Sequence, residues 1–456
     1  MIVPEPAKSE SFTATRNACK MCTPLGACLA FSGIEGCVPF LHGSQGCATY
    51  IRRYLISHFR EPMDIASSNF GEHAAIFGGQ TNLEQGLANV IRSYEPQVIG
   101  IATTCLSETI GDDLPMFLHH FTSKYADPTP LPHLVHASTP SFCGSHFDGY
   151  MEAVYALAKT LAQKGQTNTN LVNMIPGIVS PADIRHLKDI LADFELDYVM
   201  LPDYSERMDG VSWDDYQRIP EGGTTVHELQ TMGSAAGSIE FATTHHKSKT
   251  AGEYLQSEFD VANHRMDMPI GIAATDRFFD TLEQLSGKPT PGRHQMDRGR
   301  LVDSYVDGHK YCFGKRAILY GEEDFVIALA GFLSEIGIVP ALIASGGKSG
   351  KLLESIERVM PDPSVTTIMD GVDFEEITDA AMDMHADLII GNSKGFKLSQ
   401  KLDVPLVRMG LPIHDRMGAA RIVHLGYQGT QYLYDLIVNT LLDVKQRTSE
   451  VGYTYI

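Results

Sequence analysis

Short apolar runs alternate with helix-period segments along almost the whole chain, and this constrains the fold more than any other feature of the sequence. It is the pattern that builds parallel sheets covered by helices. The strands expected are VIGIAT (98–103), LVNMI (171–175), YVML (198–201), MPIGI (268–272), RAILY (316–320), VPALIA (339–344), DLIIG (387–391) and PLVRM (405–409). Between them lie helices such as 181–194, with Ser180 as N-cap and Pro181 at the first helical position, and 324–337, closed by Gly337. The runs fall into three blocks of ordinary domain size, 1–166, 167–310 and 311–456, jointed at KGQTNTN (164–170) and GHKYCFGK (308–315). The fold class expected is α/β, with three Rossmann-like domains, each a mostly parallel sheet flanked by helices. In such sheets ligands sit beyond the carboxyl ends of the strands. Cys105 follows VIGIATT directly, Ser141 follows LVHASTP, and Asn392 follows DLIIG.

Seven of the eight cysteines fall in the first third of the chain. The opening 20 residues contain no apolar stretch of signal-peptide length, and no run approaches the roughly 20 apolar residues of a membrane span, so a cytoplasmic location is expected. In that reducing compartment clustered cysteines point to metal binding, redox chemistry or packing rather than to disulfides. A net charge of −20 disfavours nucleic acid and anionic membranes as partners.

Packing is the plain reading for Cys28, Cys37 and Cys312, which sit among apolar neighbours. Cys19 and Cys22 form a C-x-x-C, but a structural zinc site would want a second such pair, and a thiol redox motif would follow a strand. The doublets His119/His120 and His245/His246 read as surface histidines. GGKSGK (346–351) lacks the glycine a phosphate loop needs at 342, where the chain has leucine. That leaves Cys22, Cys47 and Cys105, each in a glycine- or threonine-rich turn: CTPLG, HGSQGC and TTCLSE. Glycine beside a ligand lets the backbone approach a bulky inorganic cluster and turn N–H groups toward its sulfurs. Three thiolates on separate loops suit an iron–sulfur cluster better than zinc.

NACKMCTPLGACLAFSGIEGCVPFLHGSQGCATYIRRYLISHFREP, AAIFGG, ATTCLSETIGDD and TPSFCGSH, followed by GGTTVHEL, RGRLVDSYVDGH, FGKRAILYGEEDFV, GNSKG and PLVRMGLPIHDR, resemble the β-type subunits of nitrogenase component 1 across nearly the whole chain. The resemblance implies that Cys22, Cys47, Cys105 and Ser141 hold one half of a P-cluster-type iron–sulfur cluster, [8Fe–7S] or [4Fe–4S], shared with a homologous α-type subunit. Gly43 and Gly46 would let the chain fold close around Cys47. Cys19 lies outside the family pattern, and Cys143, two residues after Ser141, is an alternative thiolate.

By the same resemblance, Tyr50 and Phe77 lie between the cluster and the docking surface of an ATP-dependent iron protein (NifH-like), and Asp112 and Asp113 help present that surface. Core packing is the alternative for the two aromatics. Asp303 and Asp307, four apart on one helix face, with Glu61, match carboxylates around a divalent metal ion between two β subunits; a solvated acidic face is the plain alternative. The assembly implied is an (αβ)2 heterotetramer. Its activity would be reduction of dinitrogen or of a small organic such as a methylthio-alkane, at a cofactor in the α-type subunit. With about twenty residues before Cys22, the chain lacks the long N-terminal extension of the molybdenum β subunit. Its length and its GNSKG to PIHDR region resemble NifN-type scaffold subunits or nitrogenase-like reductases, which leaves a cofactor-assembly scaffold as the alternative function.

Overall fold

The computed structural model describes residues 17–125, 130–245 and 248–449. Among these residues thirteen strands form three all-parallel sheets. The first has the order β2-β1-β3-β4, from β1 (Cys37–His42), β2 (Ala66–Ser67), β3 (Val98–Thr103) and β4 (His133–Ala137). The second has the order β6-β5-β7-β8, from β5 (Asn168–Ile175), β6 (Asp197–Met200), β7 (Ala235–Glu240) and β8 (Ala262–Arg265). The third has the order β11-β10-β9-β12-β13, from β9 (Arg316–Gly321), β10 (Val339–Ser345), β11 (Thr367–Met369), β12 (Leu388–Gly391) and β13 (Leu406–Arg408).

Why these runs read as unbroken apolar stretches follows from where alternate residues go. In β1, Cys37 and Leu41 enter a core that continues through all three sheets, while Val38 and Phe40 face a second core under the helices Gln80–Tyr94 and Leu114–Tyr125. In β9, Ala317 and Leu319 join the shared core and Ile318 and Tyr320 a third one. Both faces are covered, so both registers are apolar. The helix Pro181–Asp193 begins as expected, with the Ser180 hydroxyl accepting from Asp183 N–H and the Asp183 carboxylate accepting from Ser180 N–H. The helix Glu323–Glu335 ends two residues before Gly337, whose φ of +76° the left-handed region allows without strain.

One expected strand is absent. MPIGI at 268–272 is a buried connection: Met268 and Ile270 enter the core, Gly271 turns the chain, and Ile272 opens the helix Ile272–Ser286, its N–H donating to Glu335 Oε2 (2.7 Å). The fourth strand of that sheet is instead ANHR, a polar edge strand. Burial made the connection look like a strand, and polarity hid the strand.

His245 is buried beside the Asp148 carboxylate rather than on the surface, while His119 and His120 are exposed and His246 lies outside the described residues. The GGKSGK loop turns its N–H groups inward: Gly347 donates to Ser345 Oγ (3.0 Å) and Ser349 to Glu323 Oε1 (3.0 Å). No helix among the described residues is long and apolar enough to cross a membrane.

Candidate functional site

Three adjacent parallel strands end at the site. β1 runs into HGSQGC, β3 into Thr104–Cys105, and β4 into the 3-10 turn Ser141–Cys143. Because β1 leads to β2 on one side and β3 to β4 on the other, Cys47 and Cys105 flank the crevice where the strand order reverses. Cys22 reaches the same edge from elsewhere, as the N-cap of the helix Thr23–Ser32.

Glycine sets that approach. A Cβ on Gly26 would lie 1.7 Å from the His146 carbonyl oxygen, and one on Gly149 would lie 1.9 Å from the Thr23 carbonyl oxygen, so the helices Thr23–Ser32 and His146–Leu161 touch backbone to backbone. His146 N–H donates to the Met21 carbonyl (3.0 Å) and Met21 N–H to His146 Nδ1 (3.4 Å), which pins the residue before Cys22 to the helix following Ser141. Burial holds the His146 imidazole at about 4, well below its ordinary value, so this ring accepts as a neutral base.

Hydrogen bonds made by Cys22, Cys47, Cys105 and Ser141 or by their chain neighbours hold the edge together. Thr23 N–H donates to Ser141 Oγ (3.2 Å), and Ser141 N–H donates to Cys105 Sγ (3.3 Å). The Thr104 hydroxyl donates to the His42 carbonyl (3.0 Å). Gly43 must be glycine there, since its Cβ would fall 2.2 Å from Thr104 Oγ1. Ser44, the N-cap of the helix Gln45–Phe59, donates its hydroxyl to Cys47 Sγ (3.4 Å). Gly46, by contrast, has only ordinary contact on its Cβ side, so close approach accounts for Gly43 and not for Gly46.

The sulfurs face outward. Cys47 and Cys105 are exposed and Cys22 half-buried. Burial, then the neighbouring Cys47 and Cys105 thiols, push Cys22 up to about 11. Three thiolates would therefore repel one another here unless a cation joined them, and binding a metal group would release the protons. Among the described residues no three His, Cys, Asp or Glu side chains are placed to hold a single metal ion. Separate thiols at separate helix starts, two of them already receiving hydrogen bonds, fit a multi-iron cluster rather than one zinc ion.

The remaining C-x-x-C cysteine is not part of this edge. Cys19 packs in the core of the third sheet beside Tyr320, with its thiol pushed up to about 12 by burial. Cys143 is exposed on the Ser141 turn, but the bonds to Thr23 and Cys105 belong to Ser141. Cys28, Cys37 and Cys312 are fully buried.

Exposed apolar side chains lie on the neighbouring elements: Tyr50 (55 %) on the helix of Cys47, Phe142 on the Ser141 turn, and Ile76 and Phe77 (74 %) on the helix Glu72–Phe77, which packs against Cys105–Ile110. The Tyr50 hydroxyl donates to Tyr54 Oη (3.0 Å), a bond that with burial raises it to about 12. Asp112 points inward, accepting from Gly79 N–H (3.1 Å) and pairing with His42 Nε2 (3.0 Å), and so braces the turn just after Phe77; Asp113 is exposed and caps Met116 N–H. Sequence reasoning passed over Glu108, which accepts from both the Thr103 and Ser138 hydroxyls (2.5 Å each) and ties the β3 end to the β4 end. Its place in TTCLSE was the available signal.

The carboxylates named for a metal ion do not meet within the chain. Asp303 and Asp307 lie exposed one turn apart on the helix Gly292–Cys312, whereas Glu61 sits beside Asp209, its carboxyl raised by burial and then by that neighbouring acid.

Comparison with known proteins fits this geometry. The family model for nitrogenase component 1 type oxidoreductase matches residues 22–442. This chain belongs to that family. The match starts at Cys22 and leaves Cys19 out. The nitrogenase molybdenum-iron protein beta chain of Clostridium pasteurianum is 34 % identical over 436 residues, 94 % of each chain. The beta chain of Sinorhizobium fredii is 36 % identical over 451 residues, 96 % of this chain and 87 % of that one. A solved chain described as nitrogenase Cp1 at pH 6.5 superposes with a TM-score of 0.94 at 32 % identity, covering 99 % of this chain and 98 % of that one. A chain described as nitrogenase Cp1 at pH 5, at 14 % identity and a TM-score of 0.70, shares the fold alone. The chain is thus a β-type subunit of the nitrogenase component 1 family.

Proposed function

We propose that this β-type subunit relays electrons from an ATP-dependent, NifH-like iron protein through a P-cluster-type iron–sulfur cluster to a cofactor in a homologous α-type subunit, where dinitrogen or a small organic sulfur compound is reduced. The observation that carries this reading is the meeting of Cys22, Cys47, Cys105 and Ser141, spread over some 120 residues of chain, on one edge through hydrogen bonds made by these residues or their immediate neighbours. The three thiolates and the Ser141 oxygen would hold their half of the cluster, and the cluster supplies one-electron storage and transfer. Ser44 O–H and Ser141 N–H stabilise thiolate charge on Cys47 and Cys105 by donating to it. Thr23 N–H orients Ser141.

The half-open edge and its exposed rings support a partner that supplies the remaining ligands, in an (αβ)2 cytoplasmic assembly. An ion between two β subunits would take Glu61, Asp303 and Asp307 as ligands, contributed by the two copies. The test gives the assembled complex its iron protein, MgATP and a reductant, and follows substrate reduction and hydrogen evolution. Turnover supports the relay. A complex that turns over nothing, yet donates a cofactor that activates a separate apo-nitrogenase, is a NifN-type scaffold instead.

A further inference from the structure

At the opposite end of β1 from the thiols, a cavity of about 240 Å³ opens between the strand's first residues, the helix Gln45–Phe59 and the segment 207–220. Three guanidinium groups line it, Arg52, Arg207 and Arg218, against a single carboxylate, Asp64. In a chain of net charge −20 this is a local reversal of sign.

Arg207 is the centre of the argument. It is 9 % exposed, and it donates to the Ile34 carbonyl (3.0 Å) and, through both terminal nitrogens, to the Cys37 carbonyl (3.3 Å). Among the described residues no carboxylate pairs with it. A buried cation held only by carbonyl dipoles carries a desolvation cost that an anion placed beside it would offset. The other charges leave room for one: Arg52 shares Asp64 with the Tyr94 hydroxyl, and Arg218 reaches only the exposed Glu95 at 3.6 Å. The same cavity is lined by Trp213, the chain's single tryptophan, and by Tyr216, 37 % and 77 % exposed. Guanidinium groups recognise carboxylate or phosphate oxygens, and an exposed indole offers a stacking face to a flat ring.

We propose that this cavity binds a small anion bearing a flat ring, its charged group against Arg207 and Arg218 and its ring against Trp213. The site uses none of the residues of the thiol edge. The test titrates adenosine 5′-monophosphate, benzoate and inorganic phosphate into the full chain, followed by Trp213 fluorescence, and repeats the binding by equilibrium dialysis on the complex with its α-type partner, iron protein omitted. Saturable binding of one ringed anion to both, about tenfold tighter than phosphate and weakened about tenfold by Arg207→Met and, read by equilibrium dialysis because that variant has no tryptophan, by Trp213→Ala, supports the site. Whether the monophosphate or the carboxylate binds distinguishes the two sources of charge. If Arg207→Met does not fold, Trp213→Ala and Arg218→Ala decide. Phosphate binding as tightly as the ringed anions, binding unchanged in the variants, no binding, or binding lost in the complex each overturn the proposal; the last three would leave Arg207 a staple for Ile34 and Cys37.

Discussion

The first and third sheets are built alike, with parallel strands covered on both faces, yet their carboxyl edges behave differently. In the third sheet the edge satisfies itself. Glu322 after β9 accepts from Asp324 and Phe325 N–H; Ser345 at the end of β10 donates to the Gly321 carbonyl; Asn392 after β12 donates to the Leu411 carbonyl and accepts from Lys394 N–H. In the first sheet the same positions carry Cys47 and Cys105, whose sulfurs receive hydrogen bonds but remain exposed. The architecture provides an edge, and the side chains decide whether the edge closes or stays open for a ligand.

The largest effect should come from emptying the open edge. Cys47→Ala removes one thiolate of the set, so iron content should fall and turnover by the complex should cease even with the partner's cofactor intact, as metal analysis beside a reductase assay would show. Asn392→Ala on the closed edge should leave iron and turnover alone and cost about 1–3 kcal/mol in denaturant unfolding, since it strips Leu411 O and Lys394 N–H of their partner. If Asn392→Ala also lost iron, the two edges would not be independent.

Next in size is the backbone contact that brings Cys22 to the edge. Gly26→Ala places a methyl group 1.7 Å from the His146 carbonyl oxygen, and neither helix can give way cheaply. Unfolding free energy should fall by about 3 kcal/mol. A matched Gly46→Ala, where only Ser44 Oγ at 3.7 Å stands near, should cost well under half of that.

Acid should distinguish the regions more gently. Burial holds His58 at about 3, His136 at about 4 and His146 at about 4, so the unfolded chain takes up protons these folded sites refuse. Their stabilisation is fully present above about pH 6.5 and is lost as pH falls toward 4 and then 3, at up to about 1.4 kcal/mol per pH unit for each ring. Asp324 works the other way: burial raises it to about 6, so its contribution is fully present below its ordinary value near 3.8 and is lost as pH rises through 6. Burial also raises the carboxyls of Glu152, Glu240, Glu322, Glu323 and Glu335, which oppose the rings as Asp324 does, so the rings' share is read by difference in chemical unfolding between pH 7 and 5. His58→Gln should lose less stability, or gain more, than the unsubstituted chain as pH falls from 7 to 5; equal slopes would contradict this. The smallest effect expected is that of Asp303→Asn with Asp307→Asn, which should leave the chain's folding unchanged and weaken only the association of two αβ units, read by sedimentation.

Much of this was legible in the sequence, and the reasons differ by region. Strands covered on both faces, such as VIGIAT and RAILY, announce themselves because their inner residues are apolar on both faces. CVPFLH is less plain, since a proline argues against an interior strand; β2 pairs only with Phe40 and Leu41, so Pro39 needs no donor on that side. ANHR was hidden by its polar residues. Cys22, Cys47 and Cys105 stand out by their glycine- and threonine-rich turns, but that they share one site with Ser141 is legible only through the family resemblance. The physical links among them, Thr104 to His42 and Thr23 to Ser141, join residues 62 and 118 positions apart, and no local pattern records them. Asp112 shows the same limit: its motif was visible, while its inward bonds to His42 and Gly79 were not.

The claim at the centre of this account is that the open edge is half of a cluster site, completed by an α-type partner. Iron and acid-labile sulfide measured per chain, first on the purified chain alone and then on the assembled complex, test it most directly. The account predicts little iron and no brown colour in the chain alone, and stoichiometric iron and sulfide once the partner is present. Full iron and sulfide in the isolated chain, or full zinc occupancy there, would contradict it.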